Sequence, residues 1–332
     1  MNKTKQLELF DKDVHDKDLS SIDRLYRDVK IYSKSSEFKK KLNFYCNFPY
    51  LGVYNSALVE QQRPGARLVL TTKKWKELYN RKIKSNARPV IILMPFYPVE
   101  FLFDIADTKP IDSKLRTDDD VIEHIINQYR AESKNDVDYY YNNMMKNLPR
   151  QGVFYDRYTT GSELRAEIRL CTSEKLSIKI DKNHDVKYHS YFSVNVCNRA
   201  SRAEELASLF HELGHLYCQH IPCSWWKGRF YTKETKEFEA ETVSYLVCQR
   251  LGIKTNSIEY LSYYVKDEQL PPILIDFIFQ AVDIIERMAR DNMNAKTCLL
   301  YKKDKVYKAI VDKIIKEIKE EKSKITSTIQ HL

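Results

Sequence analysis

The sequence predicts an α+β chain: a small twisted sheet, one amphipathic helix delivered by that sheet, and additional helices around them. Three observations predict it. Short alternating runs cluster between Gly152 and Cys197, a capped helix carrying His211-Glu212-Leu213-Gly214-His215 follows directly, and helical periodicity returns after Gly252. The 332 residues suffice to bury a full core.

Residues 1–45 are polar, rich in Asp and Lys, with a helix expected over 21–33. Over 71–82, Trp75, Leu78 and Tyr79 recur at helical spacing with lysines on the other faces. Residues 90–93 and 101–103 read as two strands joined through Pro95 and Pro98. Asp118, Asp119 and Asp120 open a helix through Ile122, Ile125 and Ile126, their charges suiting its N-terminal dipole. A helix rich in Tyr and Met is expected over 136–148. Short strands are expected at 153–155, 167–170 and 176–180, then one continuous strand over 188–196. Helices are expected again over 257–264, 272–292 and 302–324. The chain divides into a basic N-terminal region (1–110), a core domain (111–300) and a charged C-terminal helix (301–332).

The chemistry sits on the capped helix. Ser201 followed by Glu204 fits a capping box, and Leu206, Leu209, Phe210, Leu213 and Leu216 form its apolar stripe. Histidines at i and i+4 share one face, so His211 and His215 can reach one Zn²⁺. Glu212, one residue on, reaches a water beside the metal without becoming a ligand. Gly214 breaks the helical rule, at about 1 kcal/mol relative to Ala. It marks either a close approach beside the metal or a tight helix crossing. Pro222 ends the helix shortly beyond His220.

A catalytic zinc needs a third protein ligand and an open position. Glu237, Glu239 and Glu241 compete for that role on a second helix ending near Gly252. Glu239 falls at the edge of the apolar face set by Val243, Leu246, Val247 and Leu251; Glu237 and Glu241 point away from it. A carboxylate turned to a core is costly unless paired or metal-bound. Glu239 is therefore the best candidate and Glu241 the runner-up.

With these residues the chain resembles the ImmA/IrrE-type metallopeptidases and the peptidase domain of ArdC-like antirestriction proteins. The likeness rests on His211 to His215, on Glu239-Ala240-Glu241 and the helix after it, and on segments around Gly65, 88–96, 104–108 and 257–263. It spans about residues 60–295. The resemblance implies a zincin-like core and a gluzincin-like His₂Glu zinc site in which Glu239 is the third ligand. It implies a zinc metallopeptidase in which Glu212 takes a proton from a zinc-bound water as it attacks the peptide carbonyl. Tyr260, Tyr263, Tyr264 and His220 are candidates to stabilise the oxyanion, and Trp225 and Trp226 to shape a pocket. It also implies a narrow protein substrate, such as a transcriptional repressor, and residence on a mobile element.

Charge offers a second class of function. Residues 1–90 hold 20 Lys and Arg against 10 Asp and Glu, which leaves 35 against 36 in the remainder. From Arg63 to Arg88 there are nine basic residues to one acid, with Trp75 and Tyr79 interleaved. Bases among aromatic platforms are the ingredients of single-stranded nucleic-acid binding, whereas lysines on the outer face of a packed helix are the plainer reading. ArdC-like proteins carry an N-terminal region of the first kind. The alternative function is thus a single-stranded-DNA-binding antirestriction-type protein whose zinc is structural or secondary; an interaction protein without metal is a third.

No apolar run approaches 18 residues and no hydrophobic leader opens the chain, so the expected setting is cytoplasmic, with no membrane partner. Seven scattered cysteines fit free thiols in a reducing compartment. Cys218 and Cys223 flank His220, but their spacing is unlike a zinc-finger pair, and packing is the expected role.

Overall fold

The computed structural model describes residues 35–94, 99–112, 117–131, 134–158, 166–170, 175–179, 185–197, 200–221, 231–254 and 270–294. In chain order, helices α1 (Ser35–Cys46) and α2 (Val53–Gln62) precede strand β1 (Val69–Leu70), helix α3 (Thr72–Tyr79), β2 (Arg81–Ile83) and β3 (Val90–Ile92). Strands β4 (Glu100–Asp104) and β5 (Thr108–Pro110) lead to helices α4 (Asp118–Asn127) and α5 (Lys134–Arg150). Strands β6 (Val153–Tyr158), β7 (Ala166–Leu170), β8 (Lys175–Lys179), β9 (Asp185–His189) and β10 (Phe192–Cys197) follow. Helices α6 (Arg202–Tyr217), α7 (Lys233–Leu251) and α8 (Ile275–Arg290) complete the described elements. The fold is mixed α+β with small sheets. The helices expected over 21–33, 257–264 and 302–324 lie outside the described residues.

The chain forms two compact units, one of residues 1–132 with 231–283, the other of 133–230 with 284–332. In the first, β1, β4 and β3 form an antiparallel sheet in that order, and β2 pairs with β5. Side chains alternate across β1, so Val69 joins one apolar cluster with Phe48, Val90, Ile92 and Leu102. Leu68 and Leu70 join another with Trp75, Tyr79, Ile105, Val121 and Ile125. Two amide side chains on α2 finish the sheet. Asn55 donates to the Leu93 carbonyl and accepts its N–H, and Gln62 does the same for Ile91. Seven residues apart, these two amides pair with alternate residues along β3, which is an outer strand among the described residues.

In the second unit β10 is central, parallel to β6 and antiparallel to β7. Helix α6 packs on β10 and β7, and α5 packs on β6 and α6. The continuous strand expected over 188–196 is two strands. Between β9 and β10, Tyr191 and Phe192 both donate their N–H groups to the Gly152 carbonyl (2.9 and 3.2 Å). That turns the chain from the β8–β9 hairpin into register with β6, a long-range event that a local alternating pattern does not encode. Asn143 and Asn147, one turn apart on α5, donate to the last carbonyls of α8 at Met288 to Arg290 and to Asp291, supplying partners that a helix C-terminus lacks.

Candidate metal centre

Helix α6 begins with the capping box expected of it. Glu204 accepts the Ser201 N–H at 2.8 Å, and Ser201 Oγ accepts the Glu204 N–H. One residue on, Glu205 is fully buried, a position a carboxylate tolerates only with partners. It has three. The Tyr155 hydroxyl donates to it, Arg157 Nε lies at 3.1 Å and an Arg202 nitrogen at 2.8 Å. The Arg202 guanidinium also lies 3.7 Å over the Tyr141 ring. Burial, then the bond to Glu205, pushes the Tyr155 hydroxyl far above its ordinary range, so it stays a donor. This network joins α6 to α5 and β6.

Two turns further along α6, the His211 and His215 Nε2 atoms are 3.1 Å apart, His215 buried and His211 half-buried. Two nitrogens each bonded to one tetrahedral ion at 2.0–2.1 Å stand about 3.3 Å apart, so the pair fits two ligand positions on one metal. Glu212 between them is buried. Tyr158, at the end of β6, has its hydroxyl raised by burial and then by the charges of Cys197, Glu167 and Glu212, which sets it within electrostatic reach of Glu212. Reading the sequence missed it, because a strand-end tyrosine fifty-four residues upstream carries no local signal.

The end of α6 decides where His220 goes. The His220 N–H donates to the His215 carbonyl (2.9 Å) and the Gln219 N–H to that of Leu216 (3.0 Å), which is a Schellman cap. Gln219 takes the left-handed position, with φ of 62°, that glycine usually fills. The cap folds His220 back on the helix, and its Nδ1 lies 3.0 Å from Nδ1 of His215. His220, one of the four oxyanion candidates, stands in the structure on the ring nitrogen of His215 opposite the His211 side. Cys218 is buried, and its sulfur lies within 4.8 Å of a His220 ring nitrogen.

The acids proposed as third ligand belong to the first unit. On α7, Glu239 is fully buried and accepts the Leu274 N–H at 2.7 Å. Glu237 and Glu241 are half-buried. Tyr260, Tyr263, Tyr264, Trp225, Trp226 and Cys223 lie outside the described residues. In the basic segment, Trp75 is fully buried and donates to the Phe103 carbonyl (2.8 Å), and Tyr79 is buried beside it. Both aromatics are core residues rather than exposed platforms. Arg81 pairs with Asp118, Arg67 with Asp119 and Arg63 with Asp107, whereas Lys73, Lys74, Lys76, Lys82 and Arg88 are exposed.

Among the described residues no helix is long and apolar enough to cross a membrane. No protein-family model matches the chain, and no curated protein does. Among solved structures, the chain is similar to the Mn(II)-bound antirestriction protein ArdC from plasmid R388, at 14% identity over 72% of this chain and 81% of that one, with a TM-score of 0.32.

Proposed function

We propose that the chain is a metal-dependent peptidase of zincin type, with His211 and His215 as two ligands, Glu239 as the third and Glu212 as general base. The observation that carries this reading is the Nε2 pair at 3.1 Å on a buried, capped helix, with Glu212, which lies between the two histidines in sequence, also buried. Glu239 enters from the sequence argument and from its complete burial. Zinc is the ion that two imidazoles and one carboxylate suit best, and when bound it would polarise a carbonyl and acidify a water.

The chain's own groups supply the rest. Glu212 accepts a proton from the attacking water and returns it to the leaving amine. Strand β7, an outer strand of its sheet among the described residues and packed beside α6, offers an edge along which an extended peptide can lie, so a protein substrate would enter as an added strand. A narrow regulatory substrate such as a repressor follows from the family resemblance alone. The test combines metal analysis with proteolysis of a peptide library. Glu212→Gln should keep the metal of the wild type and lose cleavage by at least about 10²-fold. Cleavage at the wild-type rate by that variant, or a wild-type chain that takes up no metal, sinks the reading.

A second reading, a single-stranded-DNA-binding protein with a structural metal, rests on the exposed Lys73, Lys74 and Lys76 of α3 with Lys82 and Arg88 nearby in sequence. Without Trp75 and Tyr79 as platforms, its affinity would be chiefly electrostatic and fall steeply with salt. An oligonucleotide titration between low and moderate salt that finds no binding at either end removes it.

A further inference from the structure

We infer that His220 is the positioning residue of the metal centre: it accepts the Nδ1–H of His215 and so holds the His215 ring with its bare Nε2 turned to the His211 side. The inference rests on the metal reading above and adds a residue to it. A neutral imidazole carries one N–H, and the nitrogen that binds a metal must be the other. Both nitrogens of His215 have a neighbour here, His211 Nε2 at 3.1 Å and His220 Nδ1 at 3.0 Å. If Nε2 is the ligand atom, Nδ1 carries the hydrogen and donates it, and His220 Nδ1 must be the acceptor. That assigns both tautomers at once. His220 holds its own hydrogen on Nε2.

Three features make the contact a built one. Both rings are buried, at 8% and 3% exposure, so water does not compete for the Nδ1 atoms. The rings meet edge-on at 65°, with centroids 5.2 Å apart, which brings nitrogen to nitrogen instead of stacking face on face. The Schellman cap ties the same two residues through the backbone, since the His220 N–H is held by the His215 carbonyl. His220 faces the opposite ring nitrogen of His215, so it supports a ligand of the ion and is not itself a ligand. Ligating histidines commonly give their second N–H to a carboxylate or carbonyl; an imidazole acceptor orients the ring without adding a negative charge.

The experiment measures Zn²⁺ affinity of the full chain by competition with a chromophoric chelator, alongside the visible spectrum of the Co²⁺-loaded protein. His220→Ala should weaken metal binding about 10- to 100-fold and alter the Co²⁺ spectrum. His220→Asn, whose side-chain oxygen takes the place of Nδ1, should recover affinity to within a few-fold of wild type. Circular dichroism and thermal melting of the metal-free forms show whether each variant folds. Independently of any variant, nitrogen-15 NMR of the wild type should find the His215 hydrogen on Nδ1. Equal affinity in His220→Ala, an Asn variant as weak as Ala, or the His215 hydrogen on Nε2 each overturns the assignment. So does a second metal equivalent in the wild type that His220→Ala removes, because His220 would then be a ligand. A wild type that takes no metal overturns the peptidase reading together with this one, whereas a wild type that binds metal as tightly as His220→Ala overturns this one alone.

Discussion

On the helix that carries its candidate site residues, each unit also buries a charged side chain outside that set, and the two are satisfied differently. In the first, Arg250 of α7 is fully buried and donates to the carbonyls of Tyr45 (2.8 Å), Phe48 (3.2 Å) and Leu51. Those carbonyls lie at and just beyond the end of α1, where the helix dipole favours a cation and the backbone lacks partners. In the second unit, Glu205 of α6 is held by side chains only, the Tyr155 hydroxyl and two arginines that are 42% and 31% exposed. Backbone acceptors cannot turn away when their donor is lost. Arginines at the surface can turn to water. The helix carrying Glu239 should therefore be locked more tightly than the one carrying the histidines.

That ordering is open to measurement. Arg250→Met should cost about 3–5 kcal/mol in urea unfolding, because several carbonyls lose their donor in a dry setting. Arg250→Lys should recover little of it, since one ammonium does not span the acceptors that a guanidinium fork reaches. Glu205→Gln should cost less, about 2 kcal/mol, because it weakens charged hydrogen bonds while Arg157 and Arg202 keep access to solvent. Should Glu205→Gln prove the more damaging of the two, the distinction between backbone and side-chain partners is wrong for this protein.

The same contrast between local and distant causes explains what could be read in advance. Helix α6 was legible because its signals are short-range: Ser201 with Glu204, then an apolar stripe through Leu216. Its two histidines needed only helical periodicity to be placed on one face. The turn of Tyr191 and Phe192 onto Gly152 and the burial of Arg250 under α1 both depend on residues distant in sequence. Trp75 and Tyr79 show the ambiguity in composition: aromatics among lysines look like a nucleic-acid platform until a sheet covers them. The fold of His220 onto His215 was hidden for another reason, since the cap that makes it has a glutamine where sequence reading looks for glycine.

That glutamine supplies the smallest test. Helices α6 and α7 end in the same cap: Gly252 and Ile253 donate back to Gln249 and Cys248 as Gln219 and His220 do to Leu216 and His215. In α7 the left-handed residue must be glycine on two counts. Its φ is 74°, and a Cβ there would stand 2.7 Å from Arg130 Cβ and 2.8 Å from the Ala131 nitrogen. In α6 the position accepts a side chain, and the cost that remains is the left-handed backbone, about 1–2 kcal/mol for a residue with a Cβ. Gln219→Gly removes that cost and returns part of it as extra freedom in the unfolded chain. The net should be a stabilisation of about 0.5–1 kcal/mol by urea unfolding, with metal affinity unchanged, because the backbone bond from His220 to His215 persists. A loss of metal affinity in that variant would mean that Gln219 does more than turn the chain, and that the α6 cap differs from the α7 cap in chemistry as well as in strain.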